Sequence, residues 1–253
     1  MFDKLPPAER VKSAKEKTRR VVDHLLYLIE LHENNAIVRY SQTLSGQIPT
    51  SFAAHAFNAF QRGLHQFEIV RLCALWDAAE AEKENIPTVI ELIDNPDVIE
   101  TLAQETAGYW RNQEAHLYDD GSDPDLRAAT IERLRLSNEA FAQERAQKAH
   151  GGLRKTIDES RAIISSSKLA SIMNLRHKHL AHSLTHTRHE LTAGPVEPWR
   201  YGYERDVLDS TLPIVQALYC WVNGSSFSFE DSREIARKNA EALWGACTFD
   251  IKR

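Results

Sequence analysis

Apolar residues recur along this chain at steps of three and four, the spacing that aligns side chains on one face of an α-helix. Val21, Val22, Leu25, Leu26 and Ile29 set this rhythm in a first helix predicted over 7–33, where Pro6-Pro7 suits an N-terminus and Asn34-Asn35 weakens the end. After a loop with Gly46 and Pro49, Thr50 or Ser51 caps a second helix carrying Phe57, Phe60, Leu64, Phe67, Leu72, Leu75 and Trp76. Its aromatic stripe reads as core rather than as a cofactor box, because helix packing itself demands such spacing. Asn85-Ile86-Pro87-Thr88 opens a short helix through Ile93, and Asn95-Pro96 restarts another toward Trp110 and Tyr118. The stretch 119–124, Asp-Asp-Gly-Ser-Asp-Pro, reads as a turn.

A very polar helix follows over 124–149, with Leu126, Ile131, Leu134 and Phe141 as sparse anchors that leave it projecting or burying one narrow stripe against a partner. Gly151-Gly152 is expected to break it, and a new helix from Leu153 then runs through Ile157, Ile163, Ile164, Leu169, Ile172 and Leu175. Beyond an irregular connector over 192–198, Val207, Leu208, Leu212, Val215, Leu218 and Trp221 mark another helix. Ser228 with Asp231 forms a capping box for a last one through Ile235 and Leu243-Trp244. The expectation is one all-α domain over 1–253, a helical bundle with an elongated excursion around 96–150.

Composition supports this: 42% of the 253 residues are hydrophobic, enough for a substantial core, and ten glycines and nine prolines are few. Cys73, Cys220 and Cys247 are odd in number and far apart, so neither a disulfide framework nor a thiolate zinc site is suggested. The N-terminus has no signal-like apolar region, and no stretch approaches the ~18 apolar residues that span a bilayer, so a cytoplasmic protein without membrane contact is expected. The formal net charge of -5 argues against a protein that coats nucleic acid non-specifically. The charge is uneven, however, acidic over 77–125 and basic over 145–189. The basic stretch either receives a polyanion such as RNA or is a solvated face that pairs with the acidic one.

That basic stretch leads into Leu175-Arg176-His177-Lys178-His179-Leu180-Ala181-His182-Ser183, and five histidines fall between His177 and His189. Imidazole, with an ordinary pKa near ~6.5, is the usual carrier of protons at neutral pH. Five residues separate Arg176 from His182, and here the chain resembles the HEPN superfamily of metal-independent ribonucleases, recognised by an Arg, four to six residues, then His, with a polar residue after the Arg. His177 holds that polar position, where Asn or Asp is more familiar. The string Leu175 to His182 is similar to the AbiU-like abortive-infection branch, and so are Leu72-Cys73-Ala74-Leu75-Trp76-Asp77 and Ile86-Pro87-Thr88-Val89-Ile90-Glu91-Leu92.

The resemblance implies a bundle of HEPN type and endoribonucleolytic cleavage in toxin–antitoxin or phage-defence biology. The products would be a 2′,3′-cyclic phosphate and a 5′-hydroxyl. It also implies a homodimer with a composite cleft, and a cognate antitoxin, either a protein partner or a modifying enzyme; no cofactor or metal is called for. Such chemistry needs a group to take the 2′-hydroxyl proton, one to protonate the leaving 5′-oxygen, and positive charge at the phosphorane. His182 would be the general base or acid and Arg176 the phosphate clamp, with His177, Lys178 and His179 as supporting or RNA-binding residues. The alternative is a catalytically silent HEPN-like module that binds RNA or a nucleotide, or scaffolds a partner.

Six positions at about 100° each set Arg176 and His182 roughly 120° apart on a straight helix. Either Arg176 reaches round, the helix ends between them, or a second subunit completes the site; the resemblance implies the last. His179, His182 and His186 have spacing that suits metal ligands, but the stretch holds no HExxH, no nearby Cys and no carboxylate before Glu190. A merely solvated or core role is assigned to His24, His32, His55, His65, His116, His150, His186 and His189. Asp77 is read as a helix cap or salt bridge, with pairing to the basic site as the other option.

Overall fold

A computed structural model describes residues 2–112 and 123–251. Among them there is no strand, and the principal elements are α1 (Pro7–Val38), α2 (Phe52–Trp76), α3 (Ile86–Ile93), α4 (Pro96–Arg111), α5 (Pro124–Ile164), α6 (Ser167–Leu175), α7 (Arg188–Ala193), α8 (Tyr203–Asn223) and α9 (Phe229–Gly245). The fold is all-α, as the periodicity implies. Short polar side chains start these helices by accepting otherwise orphaned N–H groups: Ser51 from Ala54, Asn85 from Thr88, and Asn95 from Asp97 and Val98. The expected turn over 119–122, the extension toward Tyr118, and His116 lie outside the described residues.

The core is organised around α1, which packs against α2, α3, α4, α8 and α9. Val21, Leu25, Leu28 and Ile29 are sealed inside it, with Leu72, Leu75 and Trp76 of α2 and Val215 and Leu218 of α8. Full burial of one such Leu contributes about 2 kcal/mol. At the end of α2, Trp76 Nε1 donates to Thr211 Oγ1 of α8 at 3.0 Å, which fixes the position of the next residue, Asp77.

Several elements differ from the sequence reading. α1 continues to Val38 because Asn34 and Asn35 serve as tertiary anchors rather than terminators. Asn35 Nδ2 donates to Glu68 Oε2 of α2 at 2.6 Å, and Trp244 of α9 donates to Asn34 Oδ1 at 2.7 Å. α5 runs through Gly151-Gly152 without a break. A Cβ at Gly152 would lie 2.4 Å from the Trp221 indole, so this glycine lets α5 approach α8, and that packing offsets its poor helix propensity. The break falls instead at Ser165-Ser166, where the Ser166 side chain accepts from Leu169 N and starts α6.

The aromatic stripe of α2 is not core: Phe60 and Phe67 are 46% and 42% exposed, and the buried face of that turn is polar, with Gln61, His65 and Glu68. The expected excursion is also shorter, since Val98, Ile99 and Leu102 of α4 join the core, and α4 and α5 pack along each other, with Trp110 edge-on to Phe141 at 4.8 Å. Only the first turns of α5 carry exposed Leu126, Ile131, Leu134 and Leu136. At α9, Ser228 Oγ accepts from Glu230 N at 3.3 Å, while the reciprocal capping box occurs at Thr187 and Glu190.

Candidate active site

Past Leu175 the backbone widens into a single π-helical turn, Arg176–Ala181, and His182 leaves it in an extended conformation, φ −141° and ψ 161°. Such turns are uncommon and occur often at functional sites. The helix therefore ends between Arg176 and His182, the second of the three ways in which the two could share a site.

Arg176 turns toward the end of α2, where its Nη2 is 2.8 Å from Asp77 Oδ1. The same nitrogen donates to His177 Nε2 at 3.0 Å. Its side chain is 14% exposed, so the guanidinium is held beside His177 rather than free in solvent. Burial pushes the His177 imidazole below its ordinary pKa, and the neighbouring positive charge of Arg176, with a smaller contribution from His182, adds to this, against an opposing pull from Asp77. A neutral His177 suits the acceptor role toward Arg176.

His177 and His182 line one cleft of about 810 Å³. Trp76, Leu169 and Met173 give it an apolar floor, while Asn174, Arg188 and His189 add polar groups. Arg188 makes no ion pair among the described residues, so it is a cation available to a ligand there.

Lys178 has a partner: its Nζ donates to Glu190 Oε1 and Oε2 at 3.1 and 3.3 Å. The Glu190 carboxyl is held down to about 2, first by the Thr187 backbone N–H, and, against burial, by Asn174 and Lys178. Thr187 Oγ1 donates to Asn174 Oδ1 at 2.6 Å. This network staples the start of α7 to α6 and closes the loop that carries His182. His179 and His186 are exposed, and among the described residues no group of His, Cys, Asp or Glu is arranged to hold a metal ion.

The candidate residues are thus brought together unequally. Arg176, His177 and His182 share one locality, Lys178 is part of the scaffold beside it, and His179 faces solvent. Asp77 is the salt-bridge partner of Arg176, and Arg161 likewise pairs with Asp94, so the basic stretch meets the acidic one at both points. His32 and His65 are core groups on Glu68 and Glu204. Asn174, Thr187 and Glu190 were not singled out in the sequence, although Thr187-Arg188-His189-Glu190 carries the spacing of a capping box.

No helix among the described residues is long and apolar enough to cross a membrane. The chain matches no curated protein and no solved structure. The model of the HEPN family AbiU2, however, matches residues 12–243, which takes in α2, the Asp77–Arg176 pair and the histidine cleft together. The chain belongs to the AbiU2 family of the HEPN superfamily, an abortive-infection family.

Proposed function

We propose that this protein is a metal-independent endoribonuclease of the toxin type. The observation that carries the reading is that His177 and His182 line one cleft, while the Arg176 guanidinium, held by Asp77, bonds to His177 behind it. In the proposed reaction His182 takes the proton of a ribose 2′-hydroxyl as its oxygen bonds to the adjacent phosphorus. The bond from phosphorus to the 5′-oxygen breaks as that oxygen takes a proton from water, His182 gives its own proton back to solvent, and a 2′,3′-cyclic phosphate and a 5′-hydroxyl result. Arg176 offers its remaining N–H groups to the phosphorane oxygens, because Asp77 and His177 engage only one of its nitrogens. His177 orients the guanidinium, and Arg188 adds charge for the RNA backbone.

A homodimer is part of this reading, since the cleft is open and a second copy would enclose the RNA. A cognate antitoxin, as a protein or a modifying enzyme, is the proposed restraint on the cell's own toxin. Expression of the wild type should arrest growth, and His182→Ala should relieve the arrest at equal protein level; arrest by both proteins would contradict the reading.

A second reading has its own observation. The Asp77–Arg176 pair occupies the clamp with an internal anion, as a binding module without catalysis would allow. In that case RNA binds but is never cut.

A further inference from the structure

A second cleft, of about 480 Å³, adjoins the first along the chain: Asp77 lines it, while Trp76 and Ala78 line the histidine cleft. Its walls come from α1, with Arg20 and His24, from α2, with Arg71, and from the segment that follows it, with Asp77, Lys83 and Glu84. Two buried nitrogens here, His24 Nε2 and Arg71 Nε, have no hydrogen-bond partner among the described residues. Leaving such a group unsatisfied costs about 1–3 kcal/mol, so a small shift of either side chain that turns its nitrogen toward a partner in the cleft is favoured.

The charges in the cleft are mostly committed. Glu84 lies 3.9 Å from Arg20, Lys83 is bonded to Glu80 at 2.7 Å, and Asp77 is taken by Arg176. Asp23 is exposed on α1. Arg71 stacks over the Tyr27 ring at 5.3 Å and has no carboxylate within ion-pair distance among the described residues. It is therefore a cation with no carboxylate of its own, beside Arg20, which is only loosely paired, and the exposed Asp23. His24 beside it is neutral at pH 7, its pKa lowered to about 4 by burial and then by Arg71. One spare cation and one neutral hydrogen-bonding ring match the single charge and exposed oxygens of a phosphodiester.

We propose that this cleft is a phosphate subsite for the RNA strand cut at the histidine cleft, in which Arg71 and His24 hydrogen-bond to the oxygens of a neighbouring backbone phosphate. The identity of the strand rests on the ribonuclease reading; the subsite itself does not require cleavage. Bound there, a phosphodiester anion favours protonation of His24, so occupancy is legible in the titration of that ring.

The test follows the histidine ring resonances of the full chain by NMR while an uncleavable 2′-O-methyl oligoribonucleotide is added, with inorganic phosphate as a separate probe. The expected result is that the oligonucleotide shifts the His24 signals and raises its pKa by about a unit or more, while Arg71→Gln weakens binding about tenfold. An unmoved His24 while His177 and His182 respond overturns the subsite and leaves the ribonuclease reading intact. Response of His24 by a protein that cuts no ordinary RNA supports the subsite and overturns that reading. Response to inorganic phosphate alone, or to neither probe, overturns the subsite.

Discussion

Asp77 at the end of α2 and Arg176 at the end of α6 meet at 2.8 Å, so two helices far apart in sequence set the position of one guanidinium. Both side chains are largely screened from solvent, which makes this pair worth more for placement than an exposed one. Asp77→Asn should keep the fold, with a loss of about 1 kcal/mol or less, and lower RNA cleavage about tenfold or more through a misplaced Arg176. Melting curves and single-turnover cleavage rates separate the two effects; full activity in the variant would show that Arg176 needs no positioning.

Stability should fall on mild acidification because of His24. Its folded pKa, about 4, lies below the ordinary value near ~6.5. As pH drops through ~6.5 the unfolded chain takes up a proton that the folded chain refuses, so stability is lost between that pH and about 4. The ring is partly open to solvent, so a loss of about 1–2 kcal/mol is the expected scale. Urea unfolding across this range should show the decline, and His24→Gln should flatten it. A slope unchanged in the variant would assign the acid sensitivity to other groups.

Adjacent glycines in α5 should answer a methyl group oppositely. Gly152→Ala drives a Cβ against Trp221 and should cost about 1–3 kcal/mol. Gly151 has no neighbour within 4 Å of an added Cβ, so Gly151→Ala should gain up to about 1 kcal/mol from helix propensity alone. Thermal unfolding of the two variants gives the comparison directly, and equal shifts would contradict the α5–α8 contact.

The loop with His182 is held by the box between Thr187 and Glu190 and by Asn174. Thr187→Ala removes the cap and should cost about 1 kcal/mol. Cleavage should fall several-fold with it, because the imidazole loses its fixed approach to the cleft. Unchanged rates with lowered stability would mean that the loop's order does not matter to the reaction.

Local signals in the sequence account for much of this architecture. Periodic apolar residues and the Asn and Ser caps mark most of the helices, because those signals are local. The Asn pair of α1 and the glycine pair of α5 act against their local signals, because their roles depend on Glu68, Trp244 and Trp221, which lie far away in sequence. The exposed Phe60 and Phe67 follow an apolar rhythm with no core opposite them. At the site, Arg176 and His182 stand out by spacing, and the family-like segment from Leu72 through Asp77 marks the other half. What spacing alone could not supply was the π-helical turn that ends the helix before His182, or the choice of Asp77 as the partner of Arg176.

The most direct test incubates purified wild type and its His182→Ala variant with total and transfer RNA in excess EDTA and analyses the product ends. Cleavage by the wild type alone, leaving 2′,3′-cyclic phosphate and 5′-hydroxyl ends, is the expected result. Cleavage by neither protein, or equally by both, would contradict the claim that His182 drives metal-independent RNA cleavage at this cleft.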